Sequence, residues 1–403
     1  HRPQGQRSYH RVCLSNSARI SIMITMIEDM QATVSIVLLL PFNSSFTSDN
    51  LAIRTLFCNF AVDMDVLLGK TEAELKQVAT SLGMPSFVGK QICNWLYKKR
   101  VSDLSDMTNI SMQNRIRISE NYALGISSPV DSQTSVDGTK KYLFNLRGRY
   151  IEAVYIPESE RATLCVSTQV GCKMNCLFCA TGKQGFSSQL TADEILNQIV
   201  SIPESQKLTN VVFMGMGEPF DNTENVLKVL DILTADYGFA WSPKRITVST
   251  AGLLPGLKRY LNESKCHLAV SLHNPIAEER LRIMPVQKAF KIEDVLKEIK
   301  RHDFSGQRRV SFEYTMFKDE NDQPRHIKAL CTLLDGLECR VNLIKFHNVP
   351  GVPLQGSSVE SMERFRDALN AKGVTATIRK SRGEDIFAAC GLLSTKKLEN
   401  RMR

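Results

Sequence analysis

Thr163-Leu164-Cys165-Val166-Ser167-Thr168 is a short β-rich run that leads, through Gln169-Val170, into Gly171-Cys172. Runs of the same kind recur at 211–214, 245–249, 267–271, 310–315 and 341–346. Helical segments fit between them at 224–233, 292–301, 322–334 and 358–372. Another opens at the capping box Thr191-Ala192-Asp193-Glu194, ahead of Ile195, Leu196 and Ile199. Six alternating units predict an α/β protein with a parallel sheet, either open or curved into a partial barrel. In both, ligands bind at the carboxyl ends of the strands. Those ends are Gly171-Cys172, Gly215-Met216-Gly217-Glu218-Pro219, Ser249-Thr250-Ala251-Gly252, Ser271-Leu272-His273 and His347-Asn348. Polar and glycine residues gathered at one end of five of the six strands describe a site.

Ahead of this repeat, residues 140–156 read as a hairpin turning at Arg147-Gly148. Earlier still, Thr71-Glu72-Ala73-Glu74 is a capping box that starts a helix, with Leu75, Val78, Ala79 and Leu82 on one face. A second amphipathic segment spans 87–100 and ends in Lys98-Lys99-Arg100, either a solvated helix end or a phosphate contact. The expected organisation is a small helical accessory domain over 64–130, a catalytic domain over 131–395 and a basic tail over 396–403.

The 403 residues are too many for one ordinary domain. Hydrophobic residues at 43% and charged residues at 23% exclude global disorder. The net charge is +9, and 46 basic against 38 acidic residues follow residue 63, so the surplus that favours a polyanionic partner lies in the body of the chain. The apolar run 33–40 stops at Pro41, well short of the ~20 residues of a membrane span. Glu28 and Asp29 interrupt a signal-peptide pattern, while the acid-free first 27 residues leave an organellar transit peptide as an alternative. The expectation is that Met64 opens the working protein and that residues 1–63 are poorly ordered or not native.

Eleven cysteines, an odd number in a long chain, fit metal or redox chemistry in a reducing compartment better than a secreted disulfide framework. Cys172, Cys176 and Cys179 stand at C-x3-C-x2-C spacing on one loop. Thiolates are soft ligands for zinc or iron–sulfur clusters. A closed structural zinc site wants four ligands, whereas three thiols on a four-iron cluster leave one iron open. Cluster is favoured over a zinc knuckle completed by Cys165 or a distant thiol.

With an aromatic before the last cysteine, this motif resembles the radical S-adenosylmethionine (SAM) superfamily. The segments 161–172, 213–219, 271–273 and 382–391 together resemble the RlmN/Cfr family of RNA methyltransferases, over about residues 64–395. The resemblance implies a partial (β/α)6 barrel with a small N-terminal helical domain. It implies a [4Fe-4S] cluster on Cys172, Cys176 and Cys179, with two SAM molecules used per turnover. Gly217, Glu218, Ser249, Ser271, Leu272, His273 and His347 match positions that contact SAM, with Asn348 competing with His347. An aromatic C2 carbon is not nucleophilic, and the resemblance implies a two-stage route around this. Cys390 is first methylated on sulfur. A 5′-deoxyadenosyl radical then takes hydrogen from that methyl group, the methylene radical adds to the adenine, and Cys165 attacks the Cys390 sulfur to release the product as a disulfide forms. Glu152 matches the family's general base. The implied partners are 23S rRNA, tRNA and an external electron donor such as a flavodoxin/reductase system. The chain is then expected to act as a cytoplasmic monomer away from membranes. Methylation at C2 is the leading reading, at C8 the second, and a non-catalytic zinc-binding RNA module the third. Either enzyme needs its base exposed or flipped, and Lys98–Arg100 and Lys140-Lys141 are candidate phosphate contacts.

Overall fold

The computed structural model describes residues 64–304, 306 and 308–395, together with three short strands of a separate N-terminal unit. Those strands, β1 (Tyr9–Arg11), β2 (Ile22–Thr25) and β3 (Val37–Leu38), form a small antiparallel sheet. The expected basic tail at 396–403 lies outside the described residues, as does most of the segment 1–63.

Within the compact unit Met64–Arg403, residues 64–130 are mainly helical. Thr71 caps the helix Glu72–Ser81 through a reciprocal bond pair with Glu74, as the capping box predicts. The second helix is not continuous to residue 100. An α-helix over Phe87–Cys93 widens into a π-helical turn over Asn94–Lys99 and stops at Arg100, whose backbone is left-handed. That turn buries Trp95, Leu96 and Tyr97 together. Two further short strands, β4 (Asp65–Val66) and β5 (Tyr122–Ala123), pair in parallel, the latter after the helix Met112–Asn121.

The rest is built on one ten-stranded sheet. It begins with an antiparallel run of β6 (Asp131–Thr134), β7 (Lys140–Leu146) and β8 (Arg149–Pro157). The β7–β8 turn is tight because Arg147 and Gly148 both take positive φ, the conformation whose twist matches that of paired strands. β8 lies antiparallel to β9 (Ala162–Cys165), and from there every pairing is parallel. A side hairpin of β10 (Gln169–Gly171) and β11 (Phe186–Gln189) brackets the cysteine loop. The parallel series continues through β12 (Asn210–Phe213), β13 (Ile246–Thr250), β14 (His267–Ser271), β15 (Val310–Met316), β16 (Arg340–Lys345) and β17 (Ala376–Ile378). The helices Ala192–Val200, Thr223–Thr234, Leu254–Glu263, Ile292–Ile299, Pro324–Leu333 and Val359–Ala371 alternate with these strands. The six expected parallel strands are all present, and β17 adds a seventh.

The sheet ends at two edges, β17 and β6, so it is a partial barrel. Its strands read as continuous apolar runs because both faces are covered: Val211, Ile246, Val248, Leu268, Val270, Phe312 and Leu343 are almost fully buried. No helix among the described residues is long and apolar enough to cross a membrane.

Candidate active site

The carboxyl ends of the parallel strands open into one cavity. Cys165 enters it at the end of β9, where it pairs in register with Val212 and Val154. The loop after β10 supplies Cys172, Cys176 and Cys179 to the same cavity. Burial raises the Cys176 thiol well above its usual range, and the neighbouring Cys179 and Cys172 add to the shift. Burial likewise pushes Cys172 up to about 12. Thiols raised in this way, as Cys172 and Cys176 are, give up their protons when a metal is delivered to them. Among the described residues, no three His, Cys, Asp or Glu side chains gather tightly enough to share a single ion. Three thiolate donors on one loop are a donor set that fits an iron–sulfur cluster. Phe178, just before the last of them, packs edge-on against His273 with ring centroids 4.6 Å apart, tying the loop to β14.

The turn after β12 forms the next wall. Gly217 has φ +104°, and a Cβ there would lie 2.6–2.8 Å from Gln169. Glu218 is buried and accepts bonds from the Thr250 hydroxyl (2.7 Å), the Ala251 N–H (2.7 Å) and the Phe220 N–H (3.0 Å). Burial pushes its carboxyl up to about 7, against the pull of those donors. Ser249 and Ser271 line the same cavity. His273 does too, in a left-handed conformation. Burial, with Arg280 nearby, drives its imidazole down to about 3. Its Nδ1 accepts the Thr315 N–H at 2.9 Å, so the proton of the neutral ring sits on Nε2. Leu272 is fully buried and does not line the cavity; its N–H donates to the Glu313 carbonyl and its carbonyl accepts from Arg280. His347 lines an adjoining pocket instead, with Nε2 3.0 Å from the Ser381 hydroxyl.

Cys390 arrives from the far end of the chain and lines both the central cavity and that adjoining pocket. The loop that carries it is fastened on two sides. Asp385 accepts from the Ser135 hydroxyl (2.5 Å) and the Val136 N–H (3.2 Å), and Asp137 accepts from the Gly383 N–H (3.1 Å), which pins it to the β6–β7 hairpin. On the other side, the helix Ala180–Gln184, which follows Cys179 directly, holds it. Ala180 N–H donates to the Gly391 carbonyl, the Thr181 hydroxyl to the Leu393 carbonyl and the Gln184 amide to Thr395, each at 2.7 Å. Burial pushes the Cys165 thiol up to about 12, with Cys390 next in effect. Glu152 does not line the cavity. It lies buried in β8, paired with Lys141 at 3.0 Å, and accepts the Ser394 N–H at 3.0 Å just beyond Cys390. Burial raises its carboxyl, and Lys141 only partly offsets this.

Several groups here escape sequence reasoning. Arg280 is fully buried without a carboxylate hydrogen-bonded to it; its guanidinium donates to the carbonyls of Ala251, Ser271 and Leu272 and to the Gln287 amide oxygen, lacing together the ends of β13 and β14. Arg379 and Glu313, paired at 3.3 Å, both line the cavity. A glutamate inside the apolar run of β15 is the signal that could have flagged this pair. The basic runs behave unevenly. Lys98 and Lys99 are exposed. Arg100 instead donates to the Ser205 carbonyl at 2.6 Å beneath the Phe239 ring, and Lys140 and Lys141 are paired with Glu204 and Glu152.

This architecture agrees with known proteins. Residues 166–331 match the model of the radical SAM superfamily, and residues 66–124 match that of the ribosomal RNA large subunit methyltransferase N-terminal domain. A probable dual-specificity RNA methyltransferase RlmN from Parabacteroides distasonis is 60% identical over 337 residues, covering 83% of this chain and 98% of that protein. Its counterpart from Bacteroides thetaiotaomicron is 58% identical over 334 residues, covering 83% and 97%. The crystal structure of a radical SAM methyltransferase from Sphaerobacter thermophilus superimposes with a TM-score of 0.77 at 38% identity, covering 82% of this chain and 99% of that one. The three-thiol loop, the barrel built around it and likeness across nearly the full length of these relatives place the chain in the RlmN family of radical SAM RNA methyltransferases, enzymes that use a [4Fe-4S] cluster and SAM.

Proposed function

We propose that this enzyme methylates C2 of an adenosine in 23S rRNA and of an adenosine next to the anticodon in tRNA. What carries the assignment is the meeting of Cys165 and Cys390, from distant parts of the chain, in one cavity with Cys172, Cys176 and Cys179. Those three thiols would hold the cluster, which together with SAM supplies a hydrogen-abstracting radical. Gly217, Glu218, Ser249, Ser271 and His273 would orient SAM, with the Nε2–H of His273 available as a donor.

Cys390 carries the methyl group to the base. Its place between the inner cavity and the adjoining pocket lets one sulfur face both the radical and the RNA. Glu152, whose carboxyl burial raises above its usual range, takes up a proton more readily than an exposed carboxylate, as a general base requires. It would act through the Ser394 side of the Cys390 loop. Cys165, protonated at rest, gives up its proton and attacks the Cys390 sulfur while the transferred carbon still links that sulfur to the base. A Cys165–Cys390 disulfide forms, the sulfur–carbon bond breaks with its electron pair left on the base's new carbon, a proton completes the methyl group and the RNA leaves.

Anaerobic reaction followed by mass spectrometry of the RNA nucleosides tests the regiochemistry. The expected product is 2-methyladenosine, and 8-methyladenosine without it would overturn the assignment. Cys165→Ala should trap RNA covalently on Cys390, while Cys390→Ala should give neither product nor adduct. No adduct with Cys165→Ala would refute the thiol roles.

A further inference from the structure

At the opposite end of the barrel, the amino-terminal ends of the parallel strands surround a polar well. Asn210, His267 and Arg340 open β12, β14 and β16 at its rim. Cations crowd this mouth. Arg309 and Arg340 are exposed, and no described carboxylate forms an ion pair with either. Arg308 lies beneath them, about nine-tenths buried. It bonds the carbonyls of Cys266 and Leu261 and lies over the Phe304 and Tyr260 rings, while its Nη2 makes no hydrogen bond to any described residue. Burial chiefly, with Arg309, Arg308 and Lys244 adding to it, holds His267 below its usual pKa. Against this stand Glu338, and Glu313 already paired with Arg379.

The well is not isolated. Arg161 and Arg379 line both it and the pocket beside Cys390, where Lys380 and Arg382 add further cations. Cations thus recur from the pocket beside Cys390 to the far mouth of the barrel; on the way Arg161 and Arg382 share Glu158 and Arg379 is paired with Glu313, whereas Arg309 and Arg340 at the mouth have no such pair among the described residues. No substrate, cofactor or structural duty assigned so far uses Arg309 or Arg340.

We propose that the amino-terminal mouth of the barrel is a phosphate-binding track, with Arg309 and Arg340 at its rim, that takes the RNA backbone beyond the modified nucleotide. This rests on the RNA reading above. A backbone leaving the Cys390 pocket along Arg161 meets a surface whose charge is complementary to it and whose contacts carry no sequence information.

The test uses cluster-loaded enzyme and tRNA. Binding is measured against salt for the wild type and for Arg309→Glu/Arg340→Glu. SAM binding, made at the other end of the strands, reports whether the variant is folded. Loss of two phosphate contacts should make the log–log salt slope shallower by about 2. Independently, phenylglyoxal modification of the wild type is read peptide by peptide. tRNA should slow the reaction at Arg309 and Arg340, and chloride at matched ionic strength should not. An unaltered slope in a folded variant, equal protection by chloride, or protection by inorganic phosphate but not by tRNA would each overturn the track. Wild-type enzyme that methylates tRNA while its Arg309 and Arg340 stay unprotected sinks the track alone. Enzyme that binds no tRNA at all sinks the RNA reading with it.

Discussion

Replacing Gly217 by alanine isolates how much the SAM wall depends on one absent side chain. The added Cβ would sit 2.6 Å from Gln169 Cβ, 2.7 Å from its Cγ and 2.8 Å from its backbone nitrogen, at a φ of +104°. The backbone conformation alone costs about 1–3 kcal/mol for a non-glycine residue. Gln169 cannot yield freely. It is fully buried, its Oε1 accepts the Glu218 N–H at 2.8 Å, and its Nε2 donates to Gln189 Oε1 at 2.8 Å and Asp221 Oδ2 at 2.7 Å. At roughly 1 kcal/mol for each of these three bonds lost, the total with the conformational cost is about 4–6 kcal/mol. If about 2 kcal/mol of that must be recovered to return the 215–219 turn to its place on binding, SAM affinity falls by ~30-fold. The control is Gly148→Ala, where φ is +82° and nothing lies within 4 Å of the new Cβ, so only the conformational cost remains. Equilibrium SAM binding by anaerobically reconstituted protein, with iron content as a check, reads the difference. Gly217→Ala binding SAM within about threefold of wild type would refute the reasoning.

Lys141→Met removes the cation that opposes burial at Glu152, so the Glu152 carboxyl should rise further. The acid limb of the pH–rate profile should then move to higher pH, and an unmoved limb would exclude Glu152 as the base whose ionisation it reports. Glu218→Gln concerns stability. Because the native carboxyl is raised from 4.5 to about 7, the folded state binds more protons than the unfolded one between those values, and wild-type stability falls as pH rises through that window. The variant should lose this slope. It should also be about 1–3 kcal/mol less stable above pH 7, since its amide NH2 must face one of the donors from Phe220, Thr250 or Ala251. Denaturant midpoints at pH 5 and pH 8 that change in parallel for both proteins would contradict this.

Strand–helix alternation and capping boxes made most of the barrel legible, because β-rich runs such as 310–315 and helix starts such as Thr191 are local signals. β6 and β17 were invisible for opposite reasons. Asp131–Thr134 is exposed at every residue and has no apolar alternation to read, while Ala376–Ile378 is three residues long. In the site, the three cysteines are contiguous in sequence and could be read directly. Arg280 could not, because its role is to satisfy main-chain carbonyls that only the folded strand ends bring together. Arg379 and Glu313 come from different strands, and their pairing depends on the order of β15, β16 and β17. The Lys140-Lys141 run shows the reverse. A basic dipeptide reads as a nucleic-acid contact until the register of β7 and β8 sets Lys141 beside Glu152.

The double fastening of the Cys390 loop couples it to the cysteine motif. Three of its bonds go to the short helix that begins immediately after Cys179, so the last thiol of the motif and Cys390 share a scaffold. Whatever shifts that helix pulls on residues 391–395 through three bonds at once, so the two thiol-bearing segments, more than 200 residues apart in sequence, answer to one local disturbance.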